Sequence, residues 1–539
     1  MKLKYTGLLI VLVGLFISSS CKKQQTVFNN PYLGGKSALA IVTDPQQIPV
    51  PASGSEGTQV TLTATGLLQY KDKLNFFFNG LKADIVAITA TGITVKVPKN
   101  ASSGVTTFVV DGELVFGPIF NVIGKMNIDP TYENTFGADN AVWKAFPIPL
   151  SSNLMILGAF TNYDNKGLVR PINRIARVAV SDGSWDRTFQ SGFGANGTIY
   201  DMAQIGGYFF PIGEFSGFGS QGNMYGITRI FTDGKVDTTQ VTTYTKKTMF
   251  VPTFNGAVAG GPIRSIYGVG TNKMIITGDF NFYTSRTYNQ NSFNNKDSTV
   301  IDSVIVRKIA RLNANGSLDK TWRFDSTAVG YKGNPGKSPD ATTGSVRTLM
   351  DKNSNIFVYG DFLSFDGTPV GRITRLTSID GKIDPTFNPN GAGADFPIAW
   401  ASYNAVQNKY IIVGLFNNYN GKPSKFMAQL NADGTIDNTF TPRAFDGGVP
   451  SFVKMLDDGL IIVNGPFKSY DGVMRNGLAV LTPTGELADG YNNIGNISGP
   501  LLDVYETKTR DNKRALLLMG SFNNFDSKPK SNIVRVTFE

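Results

Sequence analysis

The chain has 539 residues and a formal charge of +10, with 17% charged and 12% aromatic residues. That length suits about two to four domains, and that composition excludes a disordered polymer. There is no histidine and a single cysteine, Cys21, which excludes His-dependent triads and bases, most zinc sites, thiolate clusters and internal disulfides. Any catalysis would rest on Asp, Glu, Tyr, Lys or Ser, so a carboxylate-dependent glycoside hydrolase or lyase stays open. The basic residues are scattered and not interleaved with aromatics, so no nucleic-acid partner is expected. The 59 glycines exceed the usual ~7% and, with many short apolar runs, point to an all-β chain rich in turns.

The first element is MKLKYTGLLIVLVGLFISSSC. Its apolar run falls short of the ~20 residues that span a bilayer, and with its basic start it predicts a signal peptide over residues 1–20. Removing the leader's two lysines, Lys2 and Lys4, leaves +8. The small residues before Cys21 resemble the lipobox of bacterial lipoproteins, with Ser18 where that family usually has Leu. The resemblance implies lipidation of Cys21 and an outer-membrane anchor, each buried methylene adding about 0.8 kcal/mol. An ordinary secretory signal with an incidental cysteine is the alternative. Residues 21–36 are a polar tether. Lys22 and Lys23 stand where surface-exported lipoproteins of the Bacteroides type often carry acids, which leaves both the cell surface and the periplasmic face open.

Residues 37–123 alternate apolar and polar in short runs such as TQVTLTATG, KLNFFFNG, GITVKVP and TTFVVDG, the signal of strands in a β-sandwich. Their order resembles the IPT/TIG family of immunoglobulin-like domains. The resemblance implies a spacer or interaction module without chemistry of its own.

Residues 124–539 repeat. A Gly-x-Phe element recurs at Gly158, Gly213, Gly278, Gly360, Gly414, Gly465 and Gly520. A period near 50 residues with insertions predicts the blades of a β-propeller. Each unit is expected to hold four strands, ending in a GKIDPTF-like strand. The last unit ends at NIVRVTFE without that strand, and a copy stands displaced at 124–132, GKMNIDPTY. Seven blades are therefore expected, closed by N- and C-terminal strands; six or eight are the alternative. The RxxRLNxDGxxDxTF pattern resembles the delta-sixty bacterial β-propeller repeat, which implies the fold and brings no common catalytic residue.

LNADGTIDNTF, residues 430–440, also looks like a calcium loop. In EF-hand register, however, Phe440 falls twelfth, and in a neighbouring unit Arg311 falls first, so no metal or other cofactor is expected. The Asp-Gly and Asn-Gly pairs predict type I′ hairpins. The recurring acids Asp129, Asp186, Asp237, Asp319, Asp384, Asp437 and Asp489 face a recurring Arg177, Arg229, Arg311, Arg375 or Arg535 in five units. That pattern predicts structural ion pairs.

Function should sit where the units differ. The largest insertions are residues 238–261, 282–305 and 323–344, all expected on one sector of one face. The variable starts of the inner strands, Trp143, Tyr200, Arg264, Arg347 and Trp400, are expected to rim the central channel, with Tyr283 and Tyr288 added from the second insertion. Aromatic and Arg residues around a concave mouth suit a sugar. The domain order resembles accessory glycan-binding lipoproteins of Bacteroides-type polysaccharide uptake systems, and implies a non-catalytic module for a polysaccharide or oligosaccharide. An interaction scaffold for an outer-membrane porter or neighbouring lipoprotein is the alternative. A hydrolase or lyase using Asp279 and Asp361 is the third.

Overall fold

The computed structural model describes residues 39–288 and 300–539. Cys21, the leader and the tether lie outside the described residues. All regular structure here is β, apart from two single 3₁₀ turns.

The first seven strands form one sheet folded over its own core. Its apolar positions alternate, so Phe76, Phe78, Phe108 and Phe120 meet edge to face at 5.1–5.3 Å. Ser103 Oγ and N both donate to the carbonyl of Asn493, and Arg475 Nη2 donates to the carbonyl of Asn100 at 2.7 Å. The N-terminal sheet is thus hydrogen-bonded to the sixth blade, through Arg475, and to the loop before the last blade, through Asn493. Burial without an acid partner pushes the Arg475 guanidinium down to about 10.

After it, among the described residues, seven main sheets follow in chain order, with inner strands at Val142–Pro147, Thr198–Ile205, Ile263–Val269, Ser345–Met350, Ile398–Asn404, Phe452–Met455 and Leu501–Lys508. Each inner strand neighbours the next, and the last neighbours the first. The ring closes as expected. Met126–Ile128 pairs antiparallel with Ile533–Phe538, with Val536 opposite Ile128. The N-terminal strand thus covers the edge that Ile533–Phe538 would otherwise expose.

The other six sheets have three strands, not four. The expected fourth strand touches its neighbour by one bridge, for example Leu430 to Ile436. Its acid ends it: Asp437 Oδ1 accepts from Thr439 N at 2.9 Å and Thr439 Oγ1 at 2.7 Å, turning the chain away. The turns also differ from type I′. Gly434 has φ +82° but Asp433 is not left-handed. Gly434 N donates to Asn431 O, and Asn431 N to Thr435 O. That is a type I turn with a glycine bulge, Asp433 Oδ1 accepting from Thr435.

The five Arg–Asp pairs all form, at Arg535–Asp129, Arg177–Asp186, Arg229–Asp237, Arg311–Asp319 and Arg375–Asp384. Each Arg also donates to a turn carbonyl of the next blade, as Arg375 Nη1 does to Ala432 at 2.6 Å. The aromatic of the same stamp presses on the next turn's glycine: a Cβ on Gly434 would lie 2.6 Å from Phe387. One stamp therefore joins two blades twice over.

The joints at Asp186 and Asp384 should titrate. Burial raises the Asp186 and Asp384 carboxyls, but hydrogen bonds from Thr188 and Thr386 and the paired guanidinium outweigh it, leaving both below the ordinary range. Between the lowered folded value and the unfolded ~3.9, the unfolded chain binds more protons. Their contribution is complete above pH ~4 and lost as pH falls through the folded values. The urea midpoint should therefore drop as pH falls from about 4 to about 2, and drop less in Asp186→Asn with Asp384→Asn. Equal drops in both proteins would refute the assignment.

Candidate functional site

The Gly-x-Phe glycine shapes the channel mouth. In five sheets the inner strand bulges opposite it, leaving Trp143, Tyr200, Arg264, Ala399 and Leu502 as the unpaired extra residues. The incoming carbonyl lies on the glycine: a Cβ on Gly213 would be 2.0 Å from Thr198 O, and on Gly278 2.2 Å from Pro262 O. A bulge re-aims side chains. Trp143 and Lys144 both line the cavity, as do Tyr200 with Asp201 and Arg264 with Ser265.

The cavity holds about 490 Å³ and gathers Trp143, Tyr200, Arg264, Arg347 and Trp400. Trp143 and Tyr200 meet edge to face at 4.8 Å. Arg264 lies over Tyr200 at 4.6 Å and pairs with Asp279 at 3.2 Å. The Tyr200 hydroxyl donates to Glu214 at 2.9 Å. Across the mouth, Arg347 lies over Trp400 at 4.9 Å, and Trp400 meets Phe452 at 5.1 Å. Lys144 Nζ pairs with Asp201 Oδ1 at 2.8 Å. Burial raises the Asp201 carboxyl against the opposing pull of Lys144. Below, the Tyr267 hydroxyl donates to Thr348 O at 2.8 Å, and burial pushes that hydroxyl up to about 12.

Tyr283 is elsewhere. It is 1% exposed and its hydroxyl donates to Gly316 O at 2.5 Å. Tyr163, Tyr419 and Tyr470 make the same bond to the turn glycines Gly183, Gly434 and Gly485. Tyr283 is therefore a repeated core residue and cannot meet a ligand from solvent. Tyr288 is half-buried on the insertion and lines none of the four main cavities. Asp279 and Asp361 are both taken up by cations, Asp361 lying 3.7 Å from Arg372.

The insertions do cluster. Gly256–Ala259 pairs with Phe282–Thr287, which pairs with Val300–Ile305, and Ser338 N donates to Ile305 O. Between this small sheet and the second blade lies a cleft of about 680 Å³, bordered by Glu214, Tyr225, Arg286 and Ile301. Through Glu214 it abuts Tyr200 at the channel mouth.

Residues 297–321, 353–387 and 408–440 match a family described as a domain of unknown function (DUF5122) beta-propeller. The repeat is a β-propeller repeat. Residues 15–118 match another domain of unknown function, DUF5008. No curated protein matches the chain. Solved structures similar to it include an auxiliary nutrient binding protein from Bacteroides thetaiotaomicron, at 10% identity and TM-score 0.28, covering 92% of this chain and 98% of that one. A structural genomics protein of unknown function from the same organism is 11% identical with TM-score 0.23, covering 92% and 99%. The WD40 beta propeller domain of Doa1 is 11% identical with TM-score 0.31, covering 77% and 95%.

Sequence reasoning missed Lys144, Asp201, Phe452, Lys454 and Asp503, which also line the channel. Lys144 and Asp201 directly follow Trp143 and Tyr200, while Phe452, Lys454 and Asp503 lie on the last two inner strands, where the sequence singled out no rim residue.

Proposed function

We propose that this chain is a non-catalytic cell-envelope lipoprotein whose propeller binds a glycan at the channel mouth. The observation that supports this is the aromatic rim of Trp143, Tyr200 and Trp400, each braced by another ring or an Arg, around an open concavity. Flat apolar ring faces suit the faces of sugars, and Arg264, Lys144 and Arg347 supply donors for hydroxyls. In this reading Cys21 anchors the chain to the outer membrane. The IPT/TIG-like sheet, hydrogen-bonded to the propeller, sets the height and tilt of the mouth.

The purified full chain on a polysaccharide array is the test. Retention of at least one glycan is expected, falling about ten-fold in Trp143→Ala with Tyr200→Ala, as stacking losses of 1–2 kcal/mol imply. Retention that survives both changes rejects the site.

A second reading is a scaffold for an outer-membrane porter or a neighbouring lipoprotein. It is favoured by the insertions, where Ile301 of the small sheet is 50% exposed and Val329, on the separate hairpin of the third insertion, is 75% exposed. It predicts a porter recovered with the chain in the absence of sugar.

A further inference from the structure

The channel mouth is electrically lopsided. On the side of the first three blades each lining cation has a carboxylate: Lys144 has Asp201, and Arg264 has Asp279. Glu214 is held there too, by the Tyr200 hydroxyl. On the side of the fourth to sixth blades, Arg347 and Lys454 also line the cavity, and among the described residues neither has a carboxylate within 4 Å. The neighbour of Arg347 is a ring instead. Arg347 lies over Trp400, Trp400 packs on Phe452, and Lys454 follows Phe452 by two residues on the same inner strand.

A guanidinium stacked on a ring face keeps its N–H edge for a planar anion, and an ammonium lining the same cavity adds a second donor. Asp503, the remaining carboxylate of the lining, accepts from Ala145 N at 3.3 Å on the first-blade side, so Arg347 and Lys454 keep no close counter-charge, which favours an anionic visitor. We propose that the ligand of the channel mouth carries an anionic group, a carboxylate or sulfate on a sugar ring, held by Arg347 and Lys454 while the ring stacks against Trp400. This deepens the glycan reading above and rests on it. Recognition is then divided: the neutral half of the mouth takes hydroxyls, and the cationic half reads the charge.

The full chain is tested against polygalacturonate, dextran sulfate and unsubstituted dextran at physiological salt. Retention of a polyanion over dextran is expected, and whichever is retained identifies the substituent. Arg347→Gln with Lys454→Gln should weaken that binding about ten-fold, the usual loss for hydrogen bonds to charged groups. Removing two exposed lysines of the N-terminal region, with Lys71→Gln and Lys82→Gln, should change it less than about two-fold, since bulk charge alone acts weakly at that salt. Equal losses in the two double variants would make the binding diffuse charge attraction and overturn the proposal. Binding of neutral glycans alone, lost in Trp143→Ala with Tyr200→Ala, would overturn it and leave the glycan reading standing. Retention of no polysaccharide at all would overturn both.

Discussion

Replacing Arg535 by methionine should destabilise the propeller by about 3–5 kcal/mol, the usual result of removing one partner of a buried ion pair. Arg535 and Asp129 are each 1% exposed at the side chain and meet at 2.5 Å. The guanidinium also donates to Val180 O at 2.8 Å, Ser181 O at 2.7 Å and Thr131 Oγ1 at 3.2 Å, and lies over Tyr132 at 4.8 Å. Methionine keeps the stem and leaves Asp129 charged, buried and short of its donor. It also releases two carbonyls of the first blade. This is the seam where strands more than 400 residues apart pair, so the change opens the ring where loop closure is longest. Urea midpoints should show Asp129→Asn losing stability too, and the double variant losing less than the two singles together. Arg177→Met, at a joint whose partners are 16% and 21% exposed, should cost only about 1 kcal/mol. Equal losses at both joints would mean that closure adds nothing.

That seam was legible because repetition makes a missing strand conspicuous. The displaced GKMNIDPTY could only complete the last unit, and Asp129 brought its Arg535 with it. The rim was legible for the opposite reason: Trp143, Tyr200, Arg264, Arg347 and Trp400 vary where everything around them repeats. Lys144, Asp201 and Asp503 were not legible, because period-two alternation sends the neighbour of a channel residue into the sheet. The bulge breaks that alternation, and a bulge depends on how two strands approach, which no single strand spells out. Tyr283 failed because the long strand Phe282–Thr287 disguises the short hairpin that holds Tyr419 and Tyr470 in other blades. The lost fourth strand has a similar cause. GKIDPTF alternates well enough to pair, but its Asp spends an oxygen on the backbone two residues later and the pairing stops.

The glycine that makes the bulge ties stability to the site, so Gly213→Ala should damage both. The new Cβ would lie 2.0 Å from Thr198 O and 3.0 Å from Ile199 Cα. Both obstacles are backbone, so no side chain can rotate away. The inner strand must lift, at a cost of about 3 kcal/mol, the upper end for overpacking. The residue that lifts with it is Tyr200, the extra residue of that bulge. Its edge-to-face contact with Trp143 and its bond to Glu214 should loosen together. A lower urea midpoint is expected, with a changed near-ultraviolet circular dichroism signal and weaker retention of whatever glycan the native chain retains. Gly207 gives the control on the same hairpin. A Cβ there meets nothing within 4 Å, so Gly207→Ala should stay within about 0.5 kcal/mol and leave binding unchanged. If Gly213→Ala behaved like Gly207→Ala, the recurring glycine would not be what turns Tyr200 toward the channel. The repeated part of each blade and its variable part would then be independent. If it behaves as expected, the most repetitive residue of the chain positions its least repetitive ones.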